Sequence, residues 1–176
     1  MNSYFELRLK NIFHILFFSP ILFSCQSEKT VTVYPNQVGD IVFDKNIDNP
    51  DFKRCMDKDY GIQYYNDSEG FQYKGEKIAI IRELEKLNLS SSKKINGYVT
   101  IRFVINCEGK TGLFRVQQMN ENYLEEDFDK VFLSQLLNFT KSLNGWTPKE
   151  SRGTKLDYYQ YLTYKITDGK VSEILP

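Results

Sequence analysis

The chain has 176 residues, with 23 basic and 23 acidic side chains, no net charge and 15% aromatic residues. With no basic excess to neutralise phosphates, nucleic acid is not an expected partner. The single histidine, His14, lies in an apolar N-terminal stretch, so nothing downstream supports Ser-His-Asp or Cys-His catalysis or a histidine-based zinc site.

Arg8 and Lys10 precede an apolar run over residues 12–23, interrupted only by His14, Ser19 and Pro20. As a helix this run would span roughly 18 Å, short of the about 30 Å of a bilayer core, so residues 1–24 read as a signal peptide. Its end, LFSC (Leu22, Phe23, Ser24, Cys25), resembles the lipobox of bacterial lipoproteins. That resemblance implies that Cys25 is acylated and begins the mature chain; the alternative is an ordinary signal peptide cut near Ser24. The expected address is the cell envelope: a lipid anchor in the outer membrane, with the protein on its periplasmic or surface face. In that oxidising setting the two remaining cysteines, Cys55 and Cys107, are expected to pair. The bridge would close a loop of about 52 residues, worth roughly 4 kcal/mol; two buried thiols are the alternative.

Residues 25–56 read as a polar tether in which TVTVY (residues 30–34) and DIVFD (residues 40–44) alternate like short strands. The domain proper is expected over residues 57–176. YGIQYYN (residues 60–66) reads as a strand and DSEG (residues 67–70) as a turn. DKDYG (residues 57–61) faintly echoes a calcium loop but lacks its glycine position and distal glutamate. GEKIAIIRELEKLNL (residues 75–89) carries Ile80, Leu84 and Leu87 on one stripe with Ile81 beside it, and predicts a helix.

GYVTIRFVINCEGKTGLFRVQQM (residues 97–119) is the clearest pattern in the chain. Val99, Ile101, Phe103 and Ile105 alternate with Tyr98, Thr100, Arg102 and Val104, which predicts a half-buried strand. The glycines of NCEGKTG supply a turn, and Phe114 and Val116 resume the alternation, so a hairpin is expected with Cys107 at its turn. EEDFDKVFLSQLLNFTKSL (residues 125–143) predicts a second helix, with Glu125, Glu126 and Asp127 in its first turn and Asn144-Gly145 at its end. WTPKESRG (residues 146–153) reads as a connector and KLDYYQYLTYKI (residues 155–166) as one long strand. TDGK is a hairpin turn, and VSEILP is the returning strand. The expected class is α+β: an antiparallel sheet with two helices packed on one face.

Over residues 75–166 the order of these elements resembles the C-terminal domain of TonB-type energy transducers. Gly97 at the start of the hairpin, Gly109 in its turn, the Trp146-x-Pro148 step after the second helix and Gly153 before the final strand carry the likeness. The resemblance implies that fold and a binding mode in which a partner peptide adds to a sheet edge. The N-terminal membrane helix and long proline-rich spacer of true transducers are not in the sequence, so energy transduction is not expected. The expected function is therefore a non-enzymatic envelope lipoprotein with this domain as an interaction module. An envelope protein or outer-membrane barrel peptide is its expected partner, with no catalytic residue, metal or cofactor. The alternatives are a structural or small-ligand-binding lipoprotein, and a carboxylate-based hydrolase.

Two clusters remain as site candidates. Glu125, Glu126, Asp127 and Asp129 are acids with general acid/base chemistry, although acids before a helix are usually structural. Tyr159, Tyr161, Thr163 and Lys165 share one face of the last long strand, opposite Leu162, Tyr164 and Ile166. The first set is either ordinary half-exposed sheet surface or a partner-binding face of the kind tyrosine favours.

Overall fold

A computed structural model describes residues 39–56, 61–63 and 71–175. The apolar N-terminal run, Cys25, residues 30–34 and most of residues 57–70 lie outside the described residues. The elements are α1 (Glu76–Leu87), β1 (Gly97–Ile105), β2 (Thr111–Asn120), α2 (Lys130–Ser142), β3 (Lys149–Ser151), β4 (Thr154–Leu156), β5 (Tyr158–Thr167) and β6 (Lys170–Leu175). The fold is α+β: a four-stranded antiparallel sheet in the order β2-β1-β5-β6, a separate β3-β4 hairpin and two helices.

The register explains the core. Val99 lies opposite Tyr164 and Ile101 opposite Leu162, so the apolar positions of β1 and β5 fall on one face of the pleat. Ile80 and Leu84 of α1 and Phe132, Leu136 and Phe139 of α2 cover that face in a single cluster. The hydroxyl of Thr140 in α2 meets the Tyr164 hydroxyl at 2.9 Å and donates to Leu136 O at 2.8 Å. That buried polar contact fixes how α2 lies on β5, and burial pushes the Tyr164 phenol up from its ordinary value. Trp146 plugs the end of the cluster, edge-on to Phe71, Tyr73 and Phe103.

Turn chemistry sets the connections. Asn106 Oδ1 accepts from the backbone N–H of Glu108 and of Lys110, both at 3.0 Å, which shapes the β1–β2 turn. Positive φ at both Arg152 and Gly153, and again at Asp168 and Gly169, gives the two-residue hairpin turns whose twist suits antiparallel strands. Gly97 must be glycine: its φ is +146° and an added Cβ would lie 2.2 Å from Met119 O.

Four expectations are corrected. DIVFD forms no strand, because Asp40 turns to Arg54 and Asp44 accepts from Asn46, which bends the chain into turns. Residues 39–56 are not a free tether; Ile41 and Asp48 are buried against the sheet. The second helix starts at Lys130, with Asp129 as its cap accepting from Val131 N and Phe132 N, so Glu125, Glu126 and Asp127 precede it. The long strand is two, β4 and β5, separated at Asp157, and β3 occupies part of the expected connector.

Candidate functional site

The sheet face away from the helices is built very differently. At its end beside the β1–β2 turn, Val104 and Leu113 meet Tyr159, and Ile41 and Phe52 from residues 39–56 close over them in a second, smaller cluster. Arg102, itself buried, stacks its guanidinium 4.7 Å from the Tyr159 ring and donates to Gly39 O and, at 3.1 Å, to Gln63 Oε1.

Three devices hold this covering segment down. Cys55 and Cys107 are joined by a disulfide, with Cα atoms 5.9 Å apart. Beneath it lies Asp157, fully buried. Its carboxylate accepts from Cys55 N at 2.9 Å, Met56 N at 3.0 Å and Cys107 N at 3.1 Å, and Arg54 Nε lies 3.6 Å away. Farther along, Arg115 grips Asp48 with two bonds of 2.8 and 2.7 Å and also reaches Val42 O. Burial alone would raise the Asp48 carboxyl, but the hydrogen bond from Arg115 and the one from Asp44 N outweigh it and hold it below its ordinary value.

A third feature lies at the sheet margin. β6 is an edge strand. Its first residue, Lys170, bridges Ser90; from Val171 onward no described strand pairs with its outer side. Between that margin and α1 runs a groove of about 310 Å³, lined by Ile81, Leu84, Leu89, Val171 and Ile174 with Glu85 and Glu173 at its rim. The opposite edge is obstructed. There Glu126 N donates to Gln118 O, Met119 is bridged by Glu125, and Arg115 is committed to Asp48.

The candidate residues from the sequence separate under this geometry. Tyr159 is 2% exposed, so it is not part of a contact face; the covering segment and two guanidinium groups, Arg54 and Arg102, enclose it. Tyr161, Thr163 and Lys165 are half-buried. Thr163 bonds Thr100 across the strands at 2.9 Å, and Lys165 stands opposite Glu173. The acids before α2 do not converge: Asp129 caps the helix, Glu126 accepts from Asn120 and Glu125 bridges Met119. Among the described residues, the one group of three metal-capable side chains is Cys55, Cys107 and Asp157, and both of its sulfurs are committed to the disulfide.

Asp157, Arg54, Arg115 and Asp48 escape the sequence reading. Asp157 had a signal, being the lone acid at the head of an aromatic strand pattern; the other three had none. No helix among the described residues is long and apolar enough to cross a membrane. Comparison with family models, curated proteins and solved structures finds no match to the chain.

Proposed function

We propose that the chain is a lipid-anchored protein of the cell envelope, acylated at Cys25, whose α+β domain is a non-enzymatic module that captures an extended peptide segment of another envelope protein. The observation that carries this reading is the outer margin of β6 beside the α1 groove. An added strand would take backbone hydrogen bonds from β6, and every second side chain would enter the apolar groove; the first gives affinity and the second selectivity. The order α1, β1, β2, α2 and a long strand, on which the likeness to TonB C-terminal domains rests, supports the same reading. The chain differs from that likeness in using β6 to cover β5, so β6 offers the docking edge.

The test is in-cell photo-crosslinking of the full chain with a benzoylphenylalanine at Glu173. The comparison site is Tyr123, beside the obstructed edge. Adducts to an extended segment of an envelope protein are expected from Glu173 only, and are expected to vanish when Ile81→Asp charges the groove. Equal adducts at both sites, or none at Glu173, would remove the reading.

A further inference from the structure

Among the described residues, three of the eight large apolar side chains left at solvent fall within six positions: Val42 at 79% exposure, Phe43 at 49% and Ile47 at 60%. They belong to the segment that covers the second sheet face. Scattered exposed apolar side chains need no explanation, but a contiguous patch does. Here Val42 and Phe43 line a groove of about 760 Å³ with Pro50, Phe52, Met56 and Leu113, and Ile47 lines a neighbouring one with Leu113 and Phe114.

Several polar groups of this segment are held by one another or by the domain. Asp40 pairs with Arg54. Asp44 accepts from the backbone and side chain of Asn46, and Asp48 is held by Arg115 with 2% of its side chain exposed. Backbone groups are also taken up: Val42 O accepts from Arg115, Ile41 N donates to Asp40 Oδ1, and Asp48 N donates to Asp44 O. The turn bonds and the two arginines thus take up part of the loop's polar groups, while Val42, Phe43 and Ile47 face outward. Each such bond lowers the cost of bringing the loop to the boundary of a lipid layer, where unpaired polar groups are costly. A flexible loop would lose the patch by collapsing onto itself. This one is fixed at one end by the disulfide and in the middle by the Arg115–Asp48 pair.

We propose that the Val42, Phe43 and Ile47 loop seats on the lipid bilayer in which the chain is anchored, so that the domain lies against the membrane in one orientation. The proposal rests on the reading of Cys25 as the acylated residue. From Cys25 to Gly39 the chain reaches at most about 50 Å, and the patch starts three residues later. Anchoring therefore holds it at a high effective concentration near the lipid surface. Asp40 and Asp48 are paired with Arg54 and Arg115, and apolar insertion drives the contact without anionic lipid. The contact is accordingly insensitive to salt. Lys45 and Lys53 flank the patch, with stems able to lie along it and ammonium groups toward headgroups.

The experiment uses the full chain, isolated from membranes and reconstituted into phosphatidylcholine vesicles with and without brominated lipid. It carries Phe43→Trp, with a second variant, Glu173→Trp, as the comparison. The native Trp146 is 4% exposed in the core and gives a constant, unquenched background. Loss of most of the added emission in the Phe43→Trp protein, none in the Glu173→Trp protein, and no change on raising salt are the expected results. Co-flotation with the vesicles reports the anchor separately. Flotation without quenching overturns the proposal and leaves the anchor intact. Failure to float removes the anchor reading and the proposal with it. A patch that is unquenched but yields a dimer broken by Ile47→Asp assigns the surface to a second copy of the chain and also overturns the proposal.

Discussion

The two faces of the sheet are held by different physics. The helix-covered face is a continuous apolar cluster in which Ile80, Phe103, Leu136 and Leu162 are essentially inaccessible, and burial by area carries its stability. The other face has four buried apolar residues, Ile41, Val104, Leu113 and Tyr159, which are too few to hold residues 39–56 alone. A disulfide, a buried carboxylate and a two-pronged ion pair do that work. The first face therefore tolerates changes of pH, while the second depends on charge and oxidation state.

Three measurements test this contrast. Leu136→Ala empties the centre of the helix face and is expected to cost about 4 kcal/mol, read by chemical denaturation as one cooperative loss across the domain. Asp157→Ala strips the partner from three backbone donors and from Arg54. We expect a loss of about 2–3 kcal/mol, with faster amide exchange in residues 39–56 and unchanged protection in α2. If α2 loses protection equally, the two faces are one unit.

The smallest effect concerns pH. Asp48 has its folded value lowered below 3.8, so its contribution is complete above that value and disappears as pH falls through the depressed folded one. Stability measured from about pH 7 down to pH 2 should therefore decline more steeply in the native protein than in Asp48→Asn. Equal slopes would show that the Arg115 pair contributes nothing to holding the loop.

The same contrast explains how much the sequence revealed. The period-two pattern around Val99, Ile101, Phe103 and Ile105 reports one face packed on helices, and the stripe of Phe132, Leu136 and Phe139 reports the helix that packs there. Both patterns arise from burial, which is repeated at every turn or second residue. The other face leaves no such trace. DIVFD alternates like a strand, yet each of its acids has a partner elsewhere in the fold or loop, and no local pattern encodes that. Tyr159 follows the strand alternation correctly, but whether its face meets water depends on Ile41 and Phe52, more than 100 residues away in the chain. The β6 margin was half legible: TDGK and VSEILP predict the returning strand, but only the position of α1 makes a groove beside it.

The placement of Asp157 also bears on how the chain matures. Cys55 precedes it by 102 positions and Cys107 by 50. A polypeptide synthesised from its N-terminus exposes both thiols while the residue that will align them is still to come, and Cys25 is available as a third candidate. With β5 paired to β1, the carboxylate holds the amides of Cys55 and Cys107 around a single point. In the folded protein Asp157 thus ties together the two backbones whose sulfurs are joined, and acylation of Cys25 would remove the third thiol from the count.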